Sequence, residues 1–215
     1  MKTVNSSGTA VAKTTTENEL RDSVLSMKER YDNAYATLQK KESELNNLID
    51  SATANDSTSL SLSEELEKTN SILGLSAVHG QGIIIRISDG IAPANAIDIS
   101  NYIVHDVNLR MIVNYLFNAG AEAISINGER IVSSTAITCI GNTIKVNDEK
   151  VTTPFEIKAI GLQEKLYGAM TTQGQYLYVL ANTTGISIDS IERSDSITVE
   201  GYNGIYNFEY ASVAE

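Results

Sequence analysis

The chain has 215 residues, 42% of them hydrophobic and 20% charged, and 27 acidic against 16 basic side chains leave a net charge of -11. A field of that sign repels nucleic acid and anionic membrane, so neither is an expected partner, while the apolar content suffices for one ordinary core plus an extension. The single cysteine, Cys139, excludes an internal disulfide and a Cys-rich zinc cluster, and no run approaches the roughly 18 apolar residues of a membrane span.

Residues 1–16 (MKTVNSSGTAVAKTTT) are small and polar, without periodicity and without the apolar stretch of a signal peptide, which predicts a flexible leader. Over residues 17–50 the composition changes to Glu, Lys, Leu and Ala, with neither Gly nor Pro. Leu20, Val24, Met27, Tyr31, Ala34, Leu38, Leu45 and Leu48 recur at alternating steps of four and three, and Lys41 is the one break in the series. This spacing keeps a narrow stripe on one side of a helix, which is buried best by another helix supercoiled against it. Leu20, Val24, Met27, Tyr31, Leu38, Leu45 and Leu48 are therefore candidate oligomerisation residues, most simply in a dimer. The other outcome is one helix lying on the following domain, which a wider apolar face would favour.

Residues 51–59 (SATANDSTS) are poor helix formers, and Ser61 with Glu64 has the form of a capping box that could restart a helix. Continuing the heptad count brings Leu62, Leu66 and Leu73 back onto the stripe. Either a continuous rod with a soft middle or two helices with a hinge satisfies this pattern, and the stalk is expected to span residues 17–73.

From residue 74 onward, short apolar runs bounded by turns predict an α+β domain. A β-branched run over 82–88 predicts a strand buried largely on both faces, and Gly80-Gln81-Gly82 before it reads as a flexible joint. A helix follows over 105–118, with Leu109, Ile112, Val113, Leu116 and Phe117 on one face, then a strand over 121–126. Gly141-Asn142 predicts a hairpin joining 135–139 to 143–146, and Pro154 introduces a strand over 155–160. Helices over 162–171 and 175–182, strands over 186–191 and 196–199, and an irregular tail complete the chain. With the hairpin set aside the order is βαββαβ, which predicts a ferredoxin-like head with an inserted β-hairpin.

The blocks LEKTNSILGLSAVHGQGIIIRISDG (66–90), IVHDVNLRMIVNYLFNAGAEAISINGERI (103–131), TAITCIGNTIKVN (135–147) and PFEIKAIG (154–161) together resemble the domain-of-unknown-function 881 family, the YlxW/YlxX-like proteins often labelled division initiation proteins. The resemblance covers about residues 66–204 in matching order. It implies an amino-terminal membrane helix, a coiled coil and an extracytoplasmic head, associated with cell-division and envelope genes and without established catalysis. The membrane helix has no counterpart in this chain, so an extracytoplasmic location and an anchor are implied by the resemblance alone.

Few side chains suggest chemistry. His105-Asp106 could bind a metal or supply a general base, but Asp106 suits the first turn of the helix that starts there, and His79 is the only other histidine. Asn127-Gly128 reads as a turn, and Asn114 as a buried amide within the helix or a partner contact. Cys139 lies on an apolar strand without a base nearby in sequence, and Ser133-Ser134 lacks the context of a serine nucleophile. Arg86, Arg110, Arg130 and Lys158 are expected to pair with local carboxylates. The expected function is thus that of a non-catalytic structural or interaction protein of the bacterial envelope, without cofactor, binding itself and an envelope or division protein. The alternative is a small-ligand or metal-binding sensor using His105, Asp106, Asn114 and Asn127.

Overall fold

The computed structural model of the chain describes residues 7–53, 57–204 and 210, with side chains omitted at 7–19, 22, 42, 50, 52, 53 and 57–59. The chain divides into two compact units, Met1–Glu65 and Leu66–Glu215.

Between Gly8 and Gly74 there is neither glycine nor proline to interrupt a helix. Helix α1 accordingly runs over Ser7–Thr53 and α2 over Ser57–Leu73. Helix α1 begins inside the stretch expected to be a leader; residues 1–6 of that stretch lie outside the described residues. Helix α2 starts before Ser61, so Ser61 and Glu64 are interior and do not cap its start. Residues 54–56, where the heptad pattern softens, lie outside the described residues. At its other end α2 closes with Gly74 at φ 78° and two bonds, Leu75 N–H to the Asn70 carbonyl at 2.8 Å and Gly74 N–H to the Ser71 carbonyl at 3.1 Å. A left-handed glycine with this bond pair stops the helix and satisfies its last carbonyls.

The second unit is α+β. Its strands are β1 (Val78–Ser88), β2 (Ala123–Ile126), β3 (Glu129–Arg130), β4 (Ile137–Ile140), β5 (Thr143–Val146), β6 (Glu149–Val151), β7 (Phe155–Ile160) and β8 (Ser187–Val199). Its helices are α3 (Asp106–Asn118), α4 (Gln163–Thr171) and α5 (Tyr176–Thr183). The main sheet has the order β3-β2-β7-β1-β8, with every neighbouring pair antiparallel. Ile83, Ile85 and Ile87 have no exposed surface and form a core with Leu109, Ile112, Leu116, Ile157 and Leu166. A smaller cluster of Ala123, Ile160, Ile197 and Val199, with Val78 and Ile84, covers part of the opposite face. Strand β1 is therefore not buried on both faces along its length: its residues alternate, and Ile84 and Arg86 are only partly covered.

Gly80-Gln81-Gly82 is not a joint. All three residues belong to β1, and a Cβ on Gly82 would run into the Ala159 carbonyl. The pairing of β1 with β8 shifts register between Gly80 and Gly82, so these glycines allow a bulge and a close approach of backbones.

The insertion is a three-stranded sheet, β4-β5-β6, and not only a hairpin. Strand β6 pairs Val151 with Ile144, and Ile137, Ile144, Val146 and Val151 join the main core. The two final strands predicted from sequence are one strand of 13 residues, β8, on the sheet edge. Its central Glu192-Arg193-Ser194-Asp195 looked like an interruption, but an edge strand tolerates charge, and charge there discourages edge-to-edge aggregation.

Candidate functional site

His105 precedes α3 in extended conformation, and its backbone N–H donates to Asn108 Oδ1 at 2.7 Å. Asn108 is 9% exposed, and its Nδ2 donates to the Tyr176 hydroxyl at 3.0 Å. The Tyr176 ring stacks on Tyr115 with centroids 5.7 Å apart and planes 19° from parallel. The start of α3 is thereby fastened to α5. The His105 ring lies 3.1 Å from the Ser100 carbonyl through Nε2.

Asp106 occupies the first turn of α3, where a carboxylate is favoured by the unpaired N–H groups. Arg110 Nη1 donates to Asp106 Oδ2 at 2.7 Å and to the Ile137 carbonyl at 2.7 Å, tying α3 to the inserted sheet. The Asp106 N–H lies 3.3 Å from Cys139 Sγ. Partial burial raises the Asp106 pKa, but hydrogen bonds from Arg110, Cys139 and the Val107 N–H outweigh it and hold the carboxyl below its ordinary 3.8.

Asn114 is exposed on α3 and is not the buried amide expected there; Asn108 fills that role. Asn127 sits at φ 50° in the β2-β3 turn. Its Oδ1 accepts the Glu156 N–H at 2.8 Å, and its Nδ2 faces the Pro154 and Thr152 carbonyls at 3.2 and 3.3 Å. It clamps the turn containing the cis Thr153-Pro154 bond. His79 pairs with Thr198 at the start of β1, while Val104 N–H donates to Asp89 just beyond the far end of that strand, which places His105 there. A strand of 11 residues, at about 3.3 Å each, separates the two histidines. Among the described residues, no three His, Cys, Asp or Glu side chains gather as a metal-binding group.

The cations divide into two kinds. Arg86 bridges Glu156 at 2.8 Å and Glu192 at 3.1 Å across three strands, and Lys158 adds a contact to Glu156 at 3.5 Å. Arg130 is 4% exposed and donates to the carbonyls of Ser76 and Glu200 at 3.4 and 3.2 Å, joining the start of β1 to the end of β8. Sequence reasoning missed Asn108 and the burial of Arg130. A helical-wheel test would have found the first, because Asn108 lies four residues before buried Ile112.

Two surfaces stand out by exposure. Along α1 the seven stripe residues are between 46% and 68% exposed, and Tyr31 stacks on Tyr35 with centroids 6.3 Å apart. In the second unit, the loop between β1 and α3 holds its neck closed through Gly90 N–H to the Tyr102 carbonyl at 2.7 Å and presents Ile91, Ile97 and Ile99 to solvent. Beside α3, Ile72, Leu73, Phe117, Arg130 and Val132 line a groove of about 430 Å³. The loop and the groove both offer apolar contact, and Glu122 and Ser133 also line the groove.

The geometry defines an α+β domain with antiparallel sheets and several helices, preceded in sequence by a long helix. The chain belongs to the family described as "Bacterial protein of unknown function (DUF881)", whose profile matches residues 65–212, beginning one residue before the second unit. It is similar to the UPF0749 protein YlxW of Bacillus subtilis, with 29% identity over 111 residues, covering 52% of this chain and 48% of that protein. It is also similar to the UPF0749 protein Rv1823 of Mycobacterium tuberculosis, with 30% identity over 139 residues, covering 60% of this chain and 45% of that protein. The chain thus spans about half the length of the curated relatives it matches. A crystal structure of an uncharacterized conserved protein from Mycobacterium tuberculosis shares the fold at a TM-score of 0.55 and 22% identity, covering 70% of this chain and 99% of that one. None of these names describes an enzymatic activity.

Proposed function

We propose that the chain is a non-catalytic structural and interaction protein of the bacterial cell envelope, associated with division, in which α1 pairs with a second copy as a coiled coil and the α+β unit binds a partner protein. The observation that carries this reading is the exposed stripe from Leu20 to Leu48 on a helix of 47 residues. Unshielded leucines at heptad spacing favour burial against an equivalent stripe, by about 25 cal/mol for each Å² covered. In the same reading the main sheet is ferredoxin-like. Support comes from the strand order β2-β7-β1-β8, with α3 between β1 and β2 and α4 with α5 between β7 and β8. The apolar loop carrying Ile91, Ile97 and Ile99 is the surface offered to the partner.

The envelope location is proposed on the family resemblance alone; among the described residues, no helix is long and apolar enough to cross a membrane. A sensor role for His105, Asp106 and Asn127 finds less support, since their polar groups are engaged in bonds that shape the fold.

Sedimentation equilibrium of the full chain tests the reading. Concentration-dependent dimers are expected, and the combined Leu38→Asp and Leu45→Asp substitutions should dissociate them by placing charge in the seam. A strict monomer at high protein concentration would remove the basis for the proposal.

A further inference from the structure

We infer that the partner covering α1 is a second copy running in the opposite direction, with the pairing centred on Ala36. This deepens the self-association reading and rests on it.

The interruption at Lys41 carries the first argument. Lys41 occupies the seam position that an uninterrupted heptad would fill with an apolar residue. In a parallel, in-register pair it would face the partner's Lys41, bringing two ammonium groups together while both lose water. The same register would set Ala34 against the partner's Ala34, leaving the seam underfilled. Reversing one helix about Ala36 removes both defects. Lys41 then faces the partner's Tyr31, whose ring attracts a cation and covers the aliphatic stem. Ala34 faces the partner's Leu38, a small residue against a large one, while Met27 and Val24 face the partner's Leu45 and Leu48.

The flanks carry the second argument. Residues that immediately precede a seam residue lie on one side of the seam, and in an antiparallel pair they meet between the same two seam layers, so by symmetry each contact occurs twice. Arg30 precedes Tyr31 and Glu44 precedes Leu45, and both lie between the layer of Met27 with Leu45 and the layer of Tyr31 with Lys41, so Arg30 faces the partner's Glu44. Glu44 already accepts Lys41 Nζ at 2.7 Å within its own helix, so the partner's arginine joins an existing ion pair beside Tyr31. A parallel pair would place Arg30 against the partner's Tyr35 and Glu44 against the partner's Ile49, so neither gains an opposite charge across the seam. Sliding the antiparallel pair by one seam layer likewise separates Arg30 from Glu44.

Spin labelling of the full chain decides the direction. In a Cys139→Ser background, Ser26→Cys allows a nitroxide to be attached on the outside of α1, ten residues before the midpoint. An antiparallel pair puts the two labels about 30 Å apart along the axis, whereas a parallel pair holds them across a width of about 20 Å. Arg30→Glu should weaken dimerisation by about tenfold at low salt, and adding Glu44→Arg to the same chain should restore it. Long distances with charge-swap rescue support the inference. Short distances in a dimer overturn it and leave self-association standing, while absence of dimers in sedimentation overturns both.

Discussion

The side-chain amide of Asn108 joins two helices that are distant in sequence: it receives the backbone N–H of His105 and donates to the hydroxyl of Tyr176. One residue therefore caps α3 and secures α5 against it. Asn108→Ala should destabilise the fold by about 2–3 kcal/mol, combining the loss of a cap with an unsatisfied hydroxyl. Tyr176→Phe leaves the cap intact and should cost about 1 kcal/mol. Urea unfolding followed by circular dichroism separates these values, and equal effects of the two variants would mean that the cap contributes nothing.

Two glycines should respond oppositely to alanine. Gly82 lies against the Ala159 carbonyl, so Gly82→Ala must push β1 from β7 and should lower stability by more than about 2 kcal/mol. Gly168 lies within α4 with no atom near its missing Cβ, and Gly168→Ala should raise stability by about 0.5–1 kcal/mol. Thermal unfolding of the two variants side by side provides the check.

Asp106 and Glu129 should give opposite pH signatures. Because the folded-state pKa of Asp106 lies below its ordinary 3.8, the carboxylate adds stability above that value and loses it as pH falls through the folded pKa. Asp106→Asn should thus be less stable than the parent at neutral pH, with the gap narrowing below about pH 4. Burial raises the Glu129 pKa above its ordinary 4.5; the nearby Glu149 and Asp148 add to the rise, and a hydrogen bond from Asn147 opposes it. Its charged form is disfavoured by folding at neutral pH, so Glu129→Gln should raise the melting temperature there and lose that advantage once acid protonates the parent. Melting curves from pH 3 to pH 8 test both signs.

Arg130 donates from one guanidinium nitrogen to the Ser76 and Glu200 carbonyls in a buried setting. Arg130→Met should strand these carbonyls and destabilise the domain by about 2–4 kcal/mol. Arg130→Lys should rescue little, because a lysine cannot reproduce the planar fork. Full rescue by lysine in urea titrations would show that charge alone matters at this position.

Periodic apolar residues made much of this fold legible. Leu109, Ile112, Val113 and Leu116 recur at helical spacing and are the apolar residues α3 buries, whereas Phe117, expected on the same face, is exposed; the Pro154 block marks the start of β7 to the residue. What escaped was polar or short. Strand β6, Glu-Lys-Val, is too brief to show alternation, and it exists because Val151 completes a sheet begun by β4 and β5. The middle of β8 carries the charges of an edge strand and so resembles a loop. Asn114 seemed buried because its neighbours in the chain are apolar, but adjacent residues on a helix point in different directions. Gly80 and Gly82 signalled flexibility, whereas their lack of side chains permits a tight pairing of strands.

The stacked rings of Tyr115 and Tyr176 supply a built-in optical reporter. The chain has 10 tyrosines and no tryptophan, so its near-ultraviolet absorption and emission are not masked by indole. At 5.7 Å the two phenols are close enough for their transitions to couple, and separating α3 from α5 would abolish that coupling. Near-ultraviolet circular dichroism of the parent, less that of Tyr115→Phe, therefore reports on this helix pair.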